Sequence, residues 1–135
     1  MIRPFTLARI FLSMLCLISS AACGSPCDYA VVSETKSPDA KLKVVVYEMD
    51  CGPSAGSSTQ VSILSSSASS PSGHGNLFGA SDNNHAAPLG SKGTIEIKVN
   101  WESNSSLSIS YPKNAQVFLR KPHVAGVAVR YLVVP

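Results

Sequence analysis

Two of the chain's three histidines, His74 and His85, share one glycine-punctuated stretch with Asn76, Asp82 and Asn84. Imidazole and carboxylate side chains that converge can hold a metal ion, and "DNNH" puts Asp82 three residues before His85. The spacing matches no metal motif, however, and solvated loop residues read as well. A Ser-His-Asp triad is equally easy to draw, but serine is so frequent here that one near a histidine carries no information. There is no G-x-S-x-G elbow to fix a nucleophile on a sharp turn. Glu48 and Asp50 lie two apart at the end of an apolar run. A working carboxylate pair needs a cleft that splits the two pKa values; a wet strand edge explains them as simply. The sequence therefore assigns no catalytic residue, no metal and no cofactor. It offers a candidate binding loop carrying His74, Asn76, Asp82, Asn84 and His85.

The cysteines carry a different chemistry. Residues 1–22 open with Arg3 and Arg9, continue through an apolar stretch from Ile10 to Ile18, and end in Ser19, Ser20, Ala21 and Ala22. That is the three-part layout of a secretory signal peptide, and its apolar part is too short to span a bilayer. Ser20-Ala21-Ala22 suits the general signal peptidase. With Cys23 added, the same site resembles the lipobox of bacterial lipoproteins, in which cleavage precedes a cysteine that carries lipid on its sulfur. It departs from that pattern at Ser20, where a large aliphatic is usual. Removal of 1–22 leaves Cys23, Cys27 and Cys51, an odd count in a compartment where thiols pair. A lipid on Cys23 resolves the count and frees Cys27 and Cys51 to bridge; without it, one thiol is left over. Residues 23–26 then form a tether, anchoring the chain to a membrane of the bacterial cell envelope, the alternative being a secreted or periplasmic protein.

These groups must be positioned by β-structure. "TIEIKVNW" alternates Ile95, Ile97, Val99 and Trp101 with polar residues, and "SLSISY" alternates Leu107, Ile109 and Tyr111 with serines. The period of two marks strands with one buried face. "QVSIL" and "HVAGVAVRYLVV" read as two more. "YAVVSET" and "KLKVVVYEM" flank "KSPDA", whose Pro38 and Asp39 set a turn. "VVVY" is apolar on both faces and predicts a central strand covered on both sides. The expectation is a mainly β fold: a small antiparallel sandwich or partly open barrel of six or seven strands, forming a single domain over 27–135. One long Gly/Ser-rich loop, 65–93, interrupts it, with "NLF" docking as a short strand. A loop of this length in a compact domain is functional or disordered, and binding residues favour loops on rigid scaffolds. Lys41, Lys43, Arg120 and Lys121 read as solvated, the alternative being contact with anionic headgroups.

"SPDAKLKVVVYEMDCG", "STQVSIL" and "GNLF", in that order, resemble a group of short, uncharacterised bacterial exported proteins with Ser-Pro-Asp-Gly-Lys, Asp-Cys-Gly, Ser-Thr-Gln-Val-Ser and Gly-Asn-x-Phe motifs. The resemblance implies a shared β-domain over most of 27–131 and no activity. Ala40 stands where the group has Gly, so a left-handed backbone at that position would be disfavoured and another turn is expected.

Without Arg3 and Arg9, nine Lys/Arg face eight Asp/Glu. So balanced a chain has no field to capture nucleic acid. The function expected is a non-catalytic envelope lipoprotein, a small β-module binding an envelope protein, glycan or ligand at the membrane surface. The alternatives are a metal-dependent protein or enzyme using residues 73–93, or an inhibitor module, which the lack of an acidic cluster disfavours.

Overall fold

The structure, a computed structural model, describes residues 26–135. The segment expected to be a signal peptide, residues 1–22, and Cys23 lie outside the described residues. Nine strands follow in chain order: β1 (Asp28–Lys36), β2 (Leu42–Asp50), β3 (Ser57–Ser65), β4 (Phe78–Ser81), β5 (Lys98–Ser103), β6 (Ser106–Pro112), β7 (Gln116–Arg120), β8 (His123–Val124) and β9 (Val127–Val134). They form two sheets, one in the order β1-β2-β3-β4-β7 and one in the order β5-β6-β9-β8. The sheets make a sandwich, with no closed barrel. Val44, Val46, Val61, Ile63 and Phe78 from the larger sheet meet Leu107, Ile109, Tyr111 and Val127 from the smaller one in a single core.

The central-strand reading of β2 holds. Val44, Val45, Val46 and Tyr47 are all buried, and β2 lies between β1 and β3. Val44 and Val46 face the core, so Val45 and Tyr47 must be covered from outside. The cover is residues 66–77, a strap across the outer face of β2 and β3. Tyr47 Oη donates to Gly73 O at 2.9 Å, and Lys43 Nζ donates to Ala68 O at 2.9 Å. Lys43 is thus not solvated as expected: it is 5% exposed and paired with Glu34 at 3.2 Å. It shares the outer face with Val45 and Tyr47, and the strap closes over all three. The same cover pushes the Tyr47 phenol above its ordinary pKa, because burial penalises the phenolate.

Several expectations need correction. Residues 65–93 are not one loop, because β4 sits inside them, between β3 and β7. Leu77 and Phe78 are fully buried there, so "NLF" docks as read. β7 departs from the expected pattern: Val117 turns to the core, but its neighbour Phe118 is also apolar and lies on the outer face across a bulge in the β4 pairing, which hides the alternation. The strand expected over 94–101 begins at Lys98, and Ile95 instead bridges Leu89. "HVAGVAVRYLVV" is two strands, turned at Ala125 and Gly126 with φ of 52° and 76°; two successive left-handed residues are the mark of a tight hairpin turn. The sandwich is not wholly antiparallel, since β9 pairs parallel with β6. The chain leaves β6 for β7 in the other sheet and returns through β8, so β9 enters beside β6 in the same direction. Arg120 is not simply solvated either: it donates to Tyr111 Oη at 3.0 Å and stacks over Tyr131.

Ala40 gives the last correction. Its φ is 58°, so the left-handed turn forms without glycine. Ser37 Oγ and Lys41 N both donate to Asp39 Oδ1, and Asp39 N donates to Asn104 Oδ1 on the facing turn. These bonds hold the turn against the steric cost at Ala40. They also hold the exposed Asp39 carboxyl below the usual carboxylate range, the Ser37 hydroxyl contributing most.

Candidate functional site

A disulfide joins Cys27, just before β1, to Cys51, just after β2. It staples the open end of this hairpin, where Asp28 pairs with Asp50. Such a bond belongs to an oxidising, extracytoplasmic compartment. Closing a loop of this size stabilises a fold by about 3–4 kcal/mol on the chain-entropy estimate.

Two depressions lie side by side at this disulfide end. The first, about 480 Å³, is an apolar groove walled by Cys27, Tyr29, Met49, Cys51, His74 and Phe118. Its shape follows from β4: Gly79 carries no side chain, and a Cβ there would lie 2.5 Å from the Phe118 ring. The ring therefore lies over Gly79 on the outer face, where Phe118 stays 53% exposed. The second depression, about 540 Å³, is polar and lies among Pro53, Asp82, Asn84, His85, Leu89 and Gln116. Ala55, Gly56, Ser57, Ser81 and Gln116 line both and form the ridge between them.

The structure separates the five residues singled out by sequence. Asp82 and His85 come together, with Nδ1 of His85 3.0 Å from Asp82 Oδ2. They do so on an unusual backbone. Asn83, Asn84 and His85 are all left-handed, with φ of 55°, 53° and 69°, a conformation that asparagine tolerates better than most residues. Asp82 O accepts from Ala87 N at 2.9 Å, and Asn83 O from Ala86 N at 3.1 Å, closing the loop on itself. Asn83 Nδ2 donates to Asn114 O at 3.2 Å and ties it to the β6–β7 turn. The result pushes Asn84 and His85 into solvent, the His85 side chain being 89% exposed. His74 lines the other depression, across the ridge.

Asn76 is turned to the sheet instead. Its Oδ1 accepts from Ile63 N and its Nδ2 donates to Ile63 O, both at 2.8 Å. The amide thus pairs with Ile63 as a neighbouring strand would. The bonds around it form one set: Gly75 N donates to Gln60 Oε1 at 2.8 Å, Asn76 N to Ser62 Oγ at 3.1 Å, and Leu77 N to Val61 O at 3.1 Å. Gln60 Nε2 returns to Ser58 Oγ, and Thr59 Oγ1 accepts from Ile95 N. "STQVS" and "GNLF" are therefore two halves of one clasp. Asp50 Oδ1 likewise accepts from Gly52 N, which sits at φ 93°. Every motif that carries the exported-protein resemblance is consumed by the fold.

Among the described residues no three metal-ligating side chains cluster. No buried side-chain polar atom there lacks a partner. The arrangement offers an exposed polar apex beside an apolar groove, both on a rigid frame. No protein-family model matches the chain, nor does any curated protein or solved structure.

Proposed function

We propose that this chain is an exported, lipid-anchored, non-catalytic β-module of the bacterial cell envelope that uses its 82–85 loop to contact a partner beside the membrane. The observation that supports the reading is the contrast within the loop. Asp82 is held at its base, while Asn84 and His85 are presented outward by a left-handed backbone that the Asn83–Asn114 bond braces. Braced, exposed polar groups are suited to recognition, because little side-chain and backbone freedom remains to be lost on binding. Anchoring rests on the signal-like segment, on Cys23 in its lipobox-like setting, and on the use of Cys27 and Cys51 in the disulfide, which leaves Cys23 the unpaired cysteine after position 22.

Two measurements test the reading. Intact-mass analysis of the native protein is expected to show acyl groups at residue 23, and Cys23→Ser to move the protein from the membrane to the soluble envelope fraction. An unmodified Cys23 removes the anchor. A photo-crosslinking residue at position 84 is expected to capture a discrete partner in cells, and the same residue at Lys41, on the opposite end, is not. Equal labelling from both positions ends the assignment to the 82–85 loop.

A further inference from the structure

Among the described residues, the large apolar side chains that remain exposed are Tyr29, Val31, Leu89, Phe118, Leu132, Val133 and Val134. Their places in the fold are not scattered. Tyr29 pairs with Met49, one residue from the Asp28–Asp50 pair at the disulfide, and Val31 pairs with Tyr47 on the same half of β1. Phe118 shares the groove with Cys27 and Cys51, and Leu89 the adjoining depression with Pro53. Leu132, Val133 and Val134 form the end of β9 that pairs with Ser110, Tyr111 and Pro112. That end meets the same region, because Lys113 N donates to Val134 O and Asn114 O accepts from Asn83. All seven lie toward the disulfide end. The opposite end, around the Ser37–Lys41 and Ser103–Ser105 turns, carries Lys36, Asp39, Lys41, Glu102 and Arg130 and none of the seven.

The described chain begins at Pro26, on this same apolar end, and Cys27 is itself a wall of the groove. If residue 23 carries lipid, four residue steps separate the anchor from Cys27, at most about 14 Å of extended chain. A tether that short holds the disulfide end, with its exposed apolar residues, at the bilayer rather than the Ser37–Lys41 end. We infer that the disulfide end is a membrane seat, with Tyr29 and Phe118 entering the headgroup region and acyl chains covering the groove. The inference rests on the anchoring part of the proposed function. Tyrosine and tryptophan, with amphipathic rings, are enriched at that depth, which suits Tyr29, and Phe118 beside it adds apolar area. A second membrane contact beside a lipid is also what makes anchoring stable and fixes orientation. Asp28, Asp50, Asp82 and Glu96 lie at this end against Lys98 and Lys113, so the surface it suits is neutral lipid rather than strongly anionic lipid.

Trp101 supplies an internal reference. It is the chain's single tryptophan, and its Nε1 donates to Thr35 O, toward the Ser37–Lys41 end. Full-length protein purified from membranes is reconstituted in phosphatidylcholine vesicles with brominated acyl chains. Wild-type emission, from Trp101, is expected to be unchanged by bromine. In Phe118→Trp, and separately in Tyr29→Trp, the added indole is expected to lose about half its emission or more, as a ring at interfacial depth would; adding anionic lipid should not increase the loss. With acylated Cys23 confirmed by mass, an added indole no more quenched than Trp101 overturns the seat and leaves the anchor standing. An unmodified Cys23 with a quenched indole overturns the anchor and leaves the seat standing; an unmodified Cys23 without quenching removes both. An indole shielded from both bromine and acrylamide, in a chain that sediments as a dimer, shows that a second copy covers the groove and also overturns the inference.

Discussion

The strap at residues 66–77 and the loop at residues 82–93 flank β4 and look alike in composition: small, polar, rich in glycine and without periodicity. Their physics is opposite. The strap gives its backbone and side-chain polar groups to β2 and β3, through Ala68, Gly73, Gly75, Asn76 and Leu77. The 82–85 turn bonds chiefly to itself and to one neighbouring turn, and leaves His85 in solvent. A long polar stretch is thus no signal of function by itself. What separates cover from contact is whether its donors and acceptors are spent on the sheet.

The comparison can be broken at the strap first. Gly75 is buried, and a Cβ there would lie 2.5 Å from Val61 O and 2.8 Å from Phe78 O, both backbone atoms that cannot step aside. Gly75→Ala is expected to destabilise the domain by about 3 kcal/mol or more in chemical denaturation and to expose the strap to protease. Asn76→Ala removes the group that pairs with Ile63 and leaves a buried N–H and C=O without partners. A loss of about 2 kcal/mol is expected, read as a lower denaturation midpoint with an unchanged m value. If Asn76→Ala is neutral, the strap is not a cover and the contrast with the 82–85 loop disappears.

Ala40 sharpens the same comparison from the other side, since it too is left-handed but sits in a bonded turn. Ala40→Gly relieves the Cβ clash and is expected to stabilise by about 1 kcal/mol, visible as a higher melting temperature. The smallest effect belongs to the exposed apex. His85→Ala and Asn84→Gly are expected to shift stability by about 0.5 kcal/mol or less, while limited proteolysis cuts at 82–93 before 66–77. A large loss of stability in either variant would make the apex structural.

Much of this fold is legible along the chain, and the losses have physical causes. β3 and β6 are readable because apolar and polar residues alternate along them, and β2 because it is apolar on both faces and covered on both. β7 is lost because Phe118 is apolar on the face where a polar residue is expected, and that exception is itself the groove. Lys43 is misread because its cover comes from residues about two dozen positions later. At the candidate site, the Asp82–His85 contact is readable, since a spacing of three in a tight turn brings side chains together. The role of Asn76 is not, because its partner Ile63 is 13 residues away and belongs to a strand with its own pattern. The Gln60–Gly75 and Ser62–Asn76 bonds are hidden for the same reason. Ordered motifs mark residues that matter, without saying whether they matter to packing or to a partner.

The position of β9 bears on the order in which the sandwich can close. It lies between β6 and β8 in the smaller sheet, so the strand made last fills a middle place rather than an edge. Until it arrives, β6 has only β5 beside it, and Leu107 and Ile109 have no Val127, Val129 or Tyr131 to meet. Such sequence-distant pairing is slow to form. β1 to β4 of the larger sheet can pair without β9, but the smaller sheet is complete only once that strand is in place. The sandwich therefore closes late, on the pairing of strands that a whole crossover of the chain separates.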